Sequence, residues 1–253
     1  MKWVGIDVGG TFTDIVVHDA AGNAVLSGKR PSTPDDPARG VFDALAAVCG
    51  DLAEVTRLRH GATVATNTAL ERQGARLGVI TTAGFRDVLV IGRGHRERLY
   101  DIKATRPEGL VRRSRILEVR ERMGPGGVVL EPLEEADVRA AARALADMGV
   151  DAVAVCFLHA YANPAHEQRA MEIAAEVLAA VPVSASHQVL AEHREYERFA
   201  TTALNAYVRP RMAAYLDSLS ERLASAGLGC EPEVMTSSGG LSFIFCSMIA
   251  NAP

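Results

Sequence analysis

The densest chemistry in the chain lies in Val4-Gly5-Ile6-Asp7-Val8-Gly9-Gly10-Thr11-Phe12-Thr13-Asp14. An apolar run enters, a glycine pair turns the chain, and Ile15-Val16-Val17 leaves as a second apolar run, the pattern of strand, tight turn and strand. Asp7 falls near the end of the first strand, where a carboxylate can hold Mg²⁺ directly or through water. Gly9 and Gly10 lack a Cβ, so their N–H groups can come close to an anion. Thr11 and Thr13, two apart on an extended chain, are expected on one side, offering hydroxyls to phosphate oxygens. The same residues also read as an ordinary hairpin with a glycine-rich turn.

A second group of polar residues follows two further apolar runs. His60-Gly61 ends a short strand, and Leu77 to Ile80 forms a buried one with Thr81 and Thr82 after it. Ligands gather just past the carboxyl ends of strands in α/β sheets, so His60, Thr63, Thr66, Asn67, Thr81 and Thr82 are candidates to line a cleft. Their hydroxyls can equally cap helices and bond to backbone. The segment from Gly92 to Asp101 is rich in glycine and cations and poor in periodicity, which predicts a loop. Its Arg93, His95, Arg96 and Arg98 can bind a carboxylate or phosphate, or simply face solvent. His159 and His166, then His187 and His193, are spaced seven and six apart, which matches no helical metal pair.

The elements that must position these groups alternate. A third strand is expected at Ala24 to Leu26, and three antiparallel strands suit the opening of a ribonuclease-H-like domain. Asp36 and Pro37 mark a helix start, and Gly50 marks its end. Thr63 to Arg72 reads as a helix closed by Gly74. Ile116 to Arg122, a Pro125-Gly126-Gly127 turn and Val128 to Leu130 predict a hairpin. A helix with Val138, Ala141, Ala142, Leu145 and Met148 on one face ends at Gly149, and Ala152 to Phe157 is an apolar strand. Asn163-Pro164 starts a helix with Met171, Ala174, Ala175 and Leu178 as its stripe. Arg194 to Arg198 opens another, which Pro210 kinks or restarts. Strand and helix in alternation give an α/β class.

With 253 residues, 48% hydrophobic content and a net charge of −4, the chain has the material for one large or two modest domains. Neither a basic excess for nucleic acid nor a polybasic run for anionic membrane is present. A strand begins at once, with no charged-then-apolar leader, so a cytoplasmic location is expected. Cys49, Cys156, Cys230 and Cys246 form no C-x-x-C pair, which favours free thiols over disulfides or zinc.

The first loop resembles the first phosphate loop of the actin-like ATPase superfamily, and its wording is closer still to the hydantoinase A/5-oxoprolinase family. The likeness continues through His60 to Asn67, Thr81 to Val88, Leu99 to Asp101, Leu158 to Pro164 and Arg194 to Arg198, in order from Met1 to about Leu241. It implies a hydantoinase/oxoprolinase N-terminal domain over 1–180. The start of the hydantoinase A/oxoprolinase domain is then expected over 181–253, with a truncated or altered tail after Leu241. The apolar stretch Ser242 to Ala250 is too short to span a bilayer. It does not resemble the family there, and no second glycine-rich phosphate loop or adenosine pocket is found.

The resemblance implies ATP- and Mg²⁺-dependent opening of a cyclic amide such as a hydantoin or 5-oxoproline. Phosphorylating the amide carbonyl oxygen turns a poor electrophile into one that water attacks. In this scheme Asp7 is catalytic and orients the metal, while Gly9, Gly10, Thr11, Thr13 and Asp14 form the nucleotide loop. His60, Thr63, Asn67, Thr81, Thr82, Arg93, Tyr100 and Asp101 belong to the substrate side. Related members carboxylate ketones, and bacterial members often work with a separate B subunit. The interface that would meet the family's second half, with the apolar tail Phe243–Ile249 adding to it, favours self-association as a homo-oligomer. The rival readings are a small-molecule kinase of the same superfamily and a non-catalytic half-domain.

Overall fold

The computed structural model describes residues 1–33, 35–95, 100–103, 108–236 and 240–243. They divide into two compact units, one of Met1–Glu71 with the described residues from Arg211 onward, the other of Arg72–Pro210. In chain order the elements are β1 (Lys2–Val8), β2 (Phe12–Asp19), β3 (Ala24–Pro31), α1 (Pro37–Cys49), β4 (Val55–Ala62) and α2 (Val64–Leu70). Next come β5 (Leu77–Thr82), α3 (Val88–Ile91), β6 (Ile116–Val119), β7 (Arg122–Met123), β8 (Val129–Glu131) and α4 (Glu135–Asp147). The chain continues with β9 (Ala152–Cys156), α5 (Ala165–Leu178), β10 (Val183–Ala185), α6 (Ser186–Val189), α7 (Glu195–Ser225), β11 (Glu233–Met235) and β12 (Leu241–Phe243).

The first unit is built on a sheet in the order β12-β11-β4-β1-β2-β3. β1, β2 and β3 are antiparallel neighbours, while β4 and β11 run parallel to β1, as expected for the opening of a ribonuclease-H-like domain. Strand alternation sends Val4, Ile6 and Val8 inward and leaves Trp3, Gly5 and Asp7 exposed. Ala38, Val41, Ala44 and Leu45 of α1, with Tyr215, Leu216, Leu219 and Leu223 of α7, complete that core. α1 starts where the sequence requires: Asp36 accepts from the Arg39 N–H at 3.1 Å, Pro37 sits in the first turn, and Gly50 follows at φ 67°. Helix and sheet approach closely at Gly28, where an added Cβ would stand 2.9 Å from Val48 Cγ2. β3 extends to Pro31, well past the expected Leu26, because its pairing with β2 continues as far as Phe12.

The second unit holds a parallel sheet in the order β10-β9-β5-β6 and a separate β7–β8 ladder. The expected hairpin over 116–130 is therefore divided. Ile116 to Val119 pairs with β5, and only Arg122–Met123 meets β8. An apolar run does not say which neighbour it will pair with. α2 also ends sooner than expected: Glu71 caps it, and Arg72, not Gly74, turns the chain away, at a left-handed φ of 56°. Gly74 is glycine for another reason, since a Cβ there would lie 2.3 Å from the Tyr207 ring. Thr81 and Thr82 do not follow β5 but form its last two residues, both buried.

Among the described residues of this unit three charged side chains are fully buried: Glu121, Glu167 and Arg198. Each is satisfied, as burial of charge demands. Glu167 accepts from the Phe157 N–H at 2.9 Å, Ser186 Oγ at 2.7 Å, and the His187 N–H at 2.7 Å. The Nδ1 of His187 lies 2.6 Å from the same carboxylate. Arg198 donates to Ser186 Oγ, the Glu192 carbonyl and the Phe157 carbonyl at 3.0, 2.9 and 2.8 Å. Glu121 meets the Thr82 hydroxyl and His166 Nδ1, the latter at 2.9 Å. The histidines at 166 and 187 thus orient against carboxylates. Among the described residues no His, Cys, Asp and Glu group has the makings of a metal site.

Candidate functional site

The turn between β1 and β2 closes on itself through the Gly9 N–H, which donates to the Phe12 carbonyl at 3.0 Å. Ser32, just past β3, fastens it from outside: its N–H donates to the Thr11 carbonyl at 2.9 Å and its hydroxyl to the Gly9 carbonyl at 2.7 Å. These bonds spend the Gly9 donor. The N–H groups of Gly10 and Thr11 and the Thr11 hydroxyl donate to no described residue, and both residues are exposed.

Thr13 behaves differently from Thr11. Gly10 and Thr11 form a bend, so strict alternation begins only at Phe12, and Thr13 falls on the inner face. It is fully buried, with Oγ1 3.2 Å from Ser32 Oγ. The expected pairing of Thr11 and Thr13 on one side is corrected accordingly. Asp14 is on the outer face and pairs with Lys29 at 3.2 Å, in solvent. Asp7 is exposed on the same sheet face, opposite Asp14 in the register, and its carboxylate bonds to no described residue.

The other candidates in this unit come up beside the turn. Thr63 caps α2 in position but turns its hydroxyl to the Val8 carbonyl at 3.0 Å, with its N–H on the same oxygen at 3.0 Å. Asn67, one turn on, donates to Thr63 Oγ1 at 3.2 Å, and a Cβ on Gly10 would stand 3.2 Å from Asn67 Nδ2. Glycine at 10 is what lets the loop lie against this amide. A recess of about 80 Å³ opens here, walled in part by Gly9, Gly10, Ser32, Thr63 and Asn67. Ser32 and Thr33 were missed in the sequence. The β2–β3 register, which places Pro31 opposite Phe12, is the signal that points to them.

Other candidates lie elsewhere. His60 is 1% exposed, with Nε2 in a hydrogen bond to the Tyr215 hydroxyl and Nδ1 without a partner among the described residues. Burial pulls its pKa down to about 4 and pushes that of Tyr215 up. Thr66 is exposed on α2. In the second unit Thr81 donates to the Cys156 carbonyl at 2.9 Å, while Thr82 donates to Glu121 and accepts from the Leu158 N–H at 3.0 Å. These hydroxyls follow the backbone-bonding alternative. Arg93 pairs with Glu197 at 2.7 Å, Tyr100 is 94% exposed, and Asp101 accepts from the Lys103 N–H at 3.0 Å. Arg96 and Arg98 lie outside the described residues, as does the segment from 244 onward.

The Asp7 carboxylate near the end of β1, which bonds to no described residue, and the N–H groups of Gly10 and Thr11, which donate to none, are the groups that would hold Mg²⁺ and a phosphate. Magnesium keeps several waters and needs only one or two protein carboxylates. Among the described residues no helix is long and apolar enough to cross a membrane.

Comparison with known proteins matches the chain over residues 3–178 to the hydantoinase/oxoprolinase N-terminal region and over 198–244 to hydantoinase/oxoprolinase. It is 37% identical to the acetophenone carboxylase gamma subunit of Aromatoleum aromaticum, covering 96% of this chain and 36% of the relative. An ATP-dependent caprolactamase from Pseudomonas jessenii superposes with a TM-score of 0.80 at 33% identity, covering 98% of this chain and 38% of the other. A nucleotide-free acetone carboxylase superposes with a TM-score of 0.84 at 28% identity, over 99% and 38%. The chain spans little more than a third of the length of these relatives. The matched segments run through the β1–β2 turn and both units, and the chain belongs to the hydantoinase/oxoprolinase family.

Proposed function

We propose that the Gly9–Thr11 turn binds the phosphates of ATP with Mg²⁺ at Asp7, in the service of opening a small cyclic amide. The observation that carries this reading is the set of unspent donors at Gly10 and Thr11 beside the unpaired Asp7 carboxylate. When bound, MgATP would supply a phosphoryl group to the amide carbonyl oxygen, making the carbon open to water. The chain's own part is electrostatic. Gly10 and Thr11 offer fixed donors to negative charge, and Asp7 holds the cation that offsets it. Ser32 and Asn67 keep the turn in shape, and Thr13 serves that role from the core. Asp14 completes the loop's outer edge.

On the substrate side, Arg93, Tyr100 and Asp101 remain the proposed contacts in the second unit, and Thr63 and Asn67 those nearest the turn. His60, Thr81 and Thr82 contribute by holding strand ends in place. Likeness to an acetophenone carboxylase gamma subunit and an acetone carboxylase supports a second reading, in which the activated carbonyl belongs to the carboxylation of a ketone. A relative that is itself a named subunit supports a partner chain, proposed to be of the hydantoinase B type. Cys49, Cys156 and Cys230 are free thiols, consistent with the proposed cytoplasmic location.

The test is Asp7→Asn in the complete protein under saturating Mg²⁺. Turnover of ATP should fall by at least about 100-fold, the scale of losing one electrostatic group at a reacting centre, with the circular-dichroism spectrum unchanged. Near-normal turnover would remove Asp7 from the mechanism. Product analysis with a lactam and with a ketone plus bicarbonate separates the two readings.

A further inference from the structure

The second unit contains a cavity of about 510 Å³ to which neither the family likeness nor the nucleotide reading assigns a role. Leu89, Leu110, Val111, Ala203 and the Tyr196 ring give it apolar walls, and Arg72, Arg112 and Arg113 stand among its lining. The walls are held in place. Arg113 is clamped to Asp87 by two bonds of 2.6 and 2.9 Å, and its carbonyl accepts from Arg86 at 3.1 Å. Tyr196 is backed by Gly92, where a Cβ would lie 3.4 Å from the ring, and the next residues, Arg93 and Glu197, are ion-paired at 2.7 Å.

The charge balance of the lining is uneven. Arg113 is neutralised by Asp87. Arg112 faces Glu108, the one carboxylate among the described lining residues, at 3.8 Å, so these two lining charges offset each other. Arg72 has no ion pair or hydrogen bond to any described residue. Its backbone is in the left-handed turn after α2, which fixes where the side chain leaves the chain. An apolar chamber with one uncommitted guanidinium is complementary to a molecule with an apolar body and a single carboxylate.

We propose that this cavity binds a small organic monocarboxylate with an aromatic or alicyclic body, the carboxylate meeting Arg72 and the ring lying against Tyr196 and Ala203. No residue of the Gly9–Thr11 turn takes part, so the proposal stands or falls separately from the nucleotide site.

The test is calorimetry on the 253-residue chain with 4-phenylbutyrate and its neutral analogue 4-phenylbutyramide. The acid should bind at least about tenfold more tightly than the amide, the scale of a single charge-assisted hydrogen bond. Arg72→Gln, an exposed substitution that leaves the walls alone, should erase that difference while the amide's affinity stays the same. Ala200→Leu, which adds a side chain to the lining, should weaken both probes. Equal binding of acid and amide by the unaltered chain would overturn the proposal. So would an acid preference that survives Arg72→Gln, or the absence of saturable binding at millimolar probe. If Ala200→Leu fails to give the circular-dichroism spectrum of the parent chain, Arg72→Gln alone decides.

Discussion

Gly61 lies directly beneath the Asp7 carboxylate: a Cβ at position 61 would stand 3.1 Å from Asp7 Oδ1. The two residues are register partners on β4 and β1, so the contact is set by the sheet and not by a flexible loop. A glycine here keeps open the space into which the free carboxylate leans.

Gly61→Ala should therefore separate placement from folding. The methyl would meet the end of a side chain that can turn aside, so stability should change by less than about 1 kcal/mol. Asp7 would be displaced from its position, and a catalytic group misplaced by about 1 Å can cost on the order of 100-fold in rate. ATPase assays and urea unfolding on the same protein check both halves. Full activity in Gly61→Ala would mean that the position of Asp7 is not critical.

Ser32 ties two carbonyl groups of the β1–β2 turn to the end of β3 and touches Thr13 in the core. Ser32→Ala removes the hydroxyl but keeps the backbone bond to Thr11. The expected cost is about 1 kcal/mol of stability, together with a several-fold rise in the KM for ATP as the turn loosens. Unchanged ATP kinetics would show that the turn keeps its shape without this clamp.

His60 makes the first unit sensitive to acid. Its folded pKa is about 4, below the ordinary 6.5, because burial disfavours the charged ring. At neutral pH both folded and unfolded forms are neutral there, and the residue contributes no pH dependence. As pH falls through 6.5 the unfolded chain takes up a proton that the folded one refuses, so stability declines until about pH 4. The whole loss is on the order of 3 kcal/mol. His60→Gln should flatten urea midpoints across this range. A slope that persists in the variant would assign the acid sensitivity to other groups.

Much of this was legible in the sequence where one local rule decides. Asp36-Pro37, Gly50 and the apolar stripes of α4 and α5 act through short-range geometry, and the structure has them where the rules put them. The first hairpin was readable for the same reason. The inward turn of Thr13 was not, because a two-residue bend before Phe12 resets the alternation. Nor were the roles of Glu167 and Arg198. Each sits among polar neighbours on a helix start, and its burial comes from strands β9 and β10, whose ends supply Phe157 and Ser186. Such contacts join segments 10 to 41 residues apart, beyond the reach of any periodicity.

Arg198 is the clearest case in which charge maintains architecture. It is fully buried and its three nitrogens reach three acceptors on separate segments: Ser186, Glu192 and Phe157. Ser186 in turn donates to Glu167, so the guanidinium and the carboxylate are joined through one hydroxyl. Removing the cation leaves two carbonyl groups short of a donor and Glu167 without the nearby positive charge. Arg198→Met should therefore destabilise the second unit by about 3–5 kcal/mol, the range for breaking a buried charged arrangement. Arg198→Lys keeps the charge, but one ammonium cannot span the fork, so it should recover less than half of the loss. Urea unfolding followed by far-UV circular dichroism reads both variants. A midpoint for Arg198→Met equal to that of the parent would show that the network contributes nothing to stability. Full recovery by lysine would show that charge alone is needed, without the geometry.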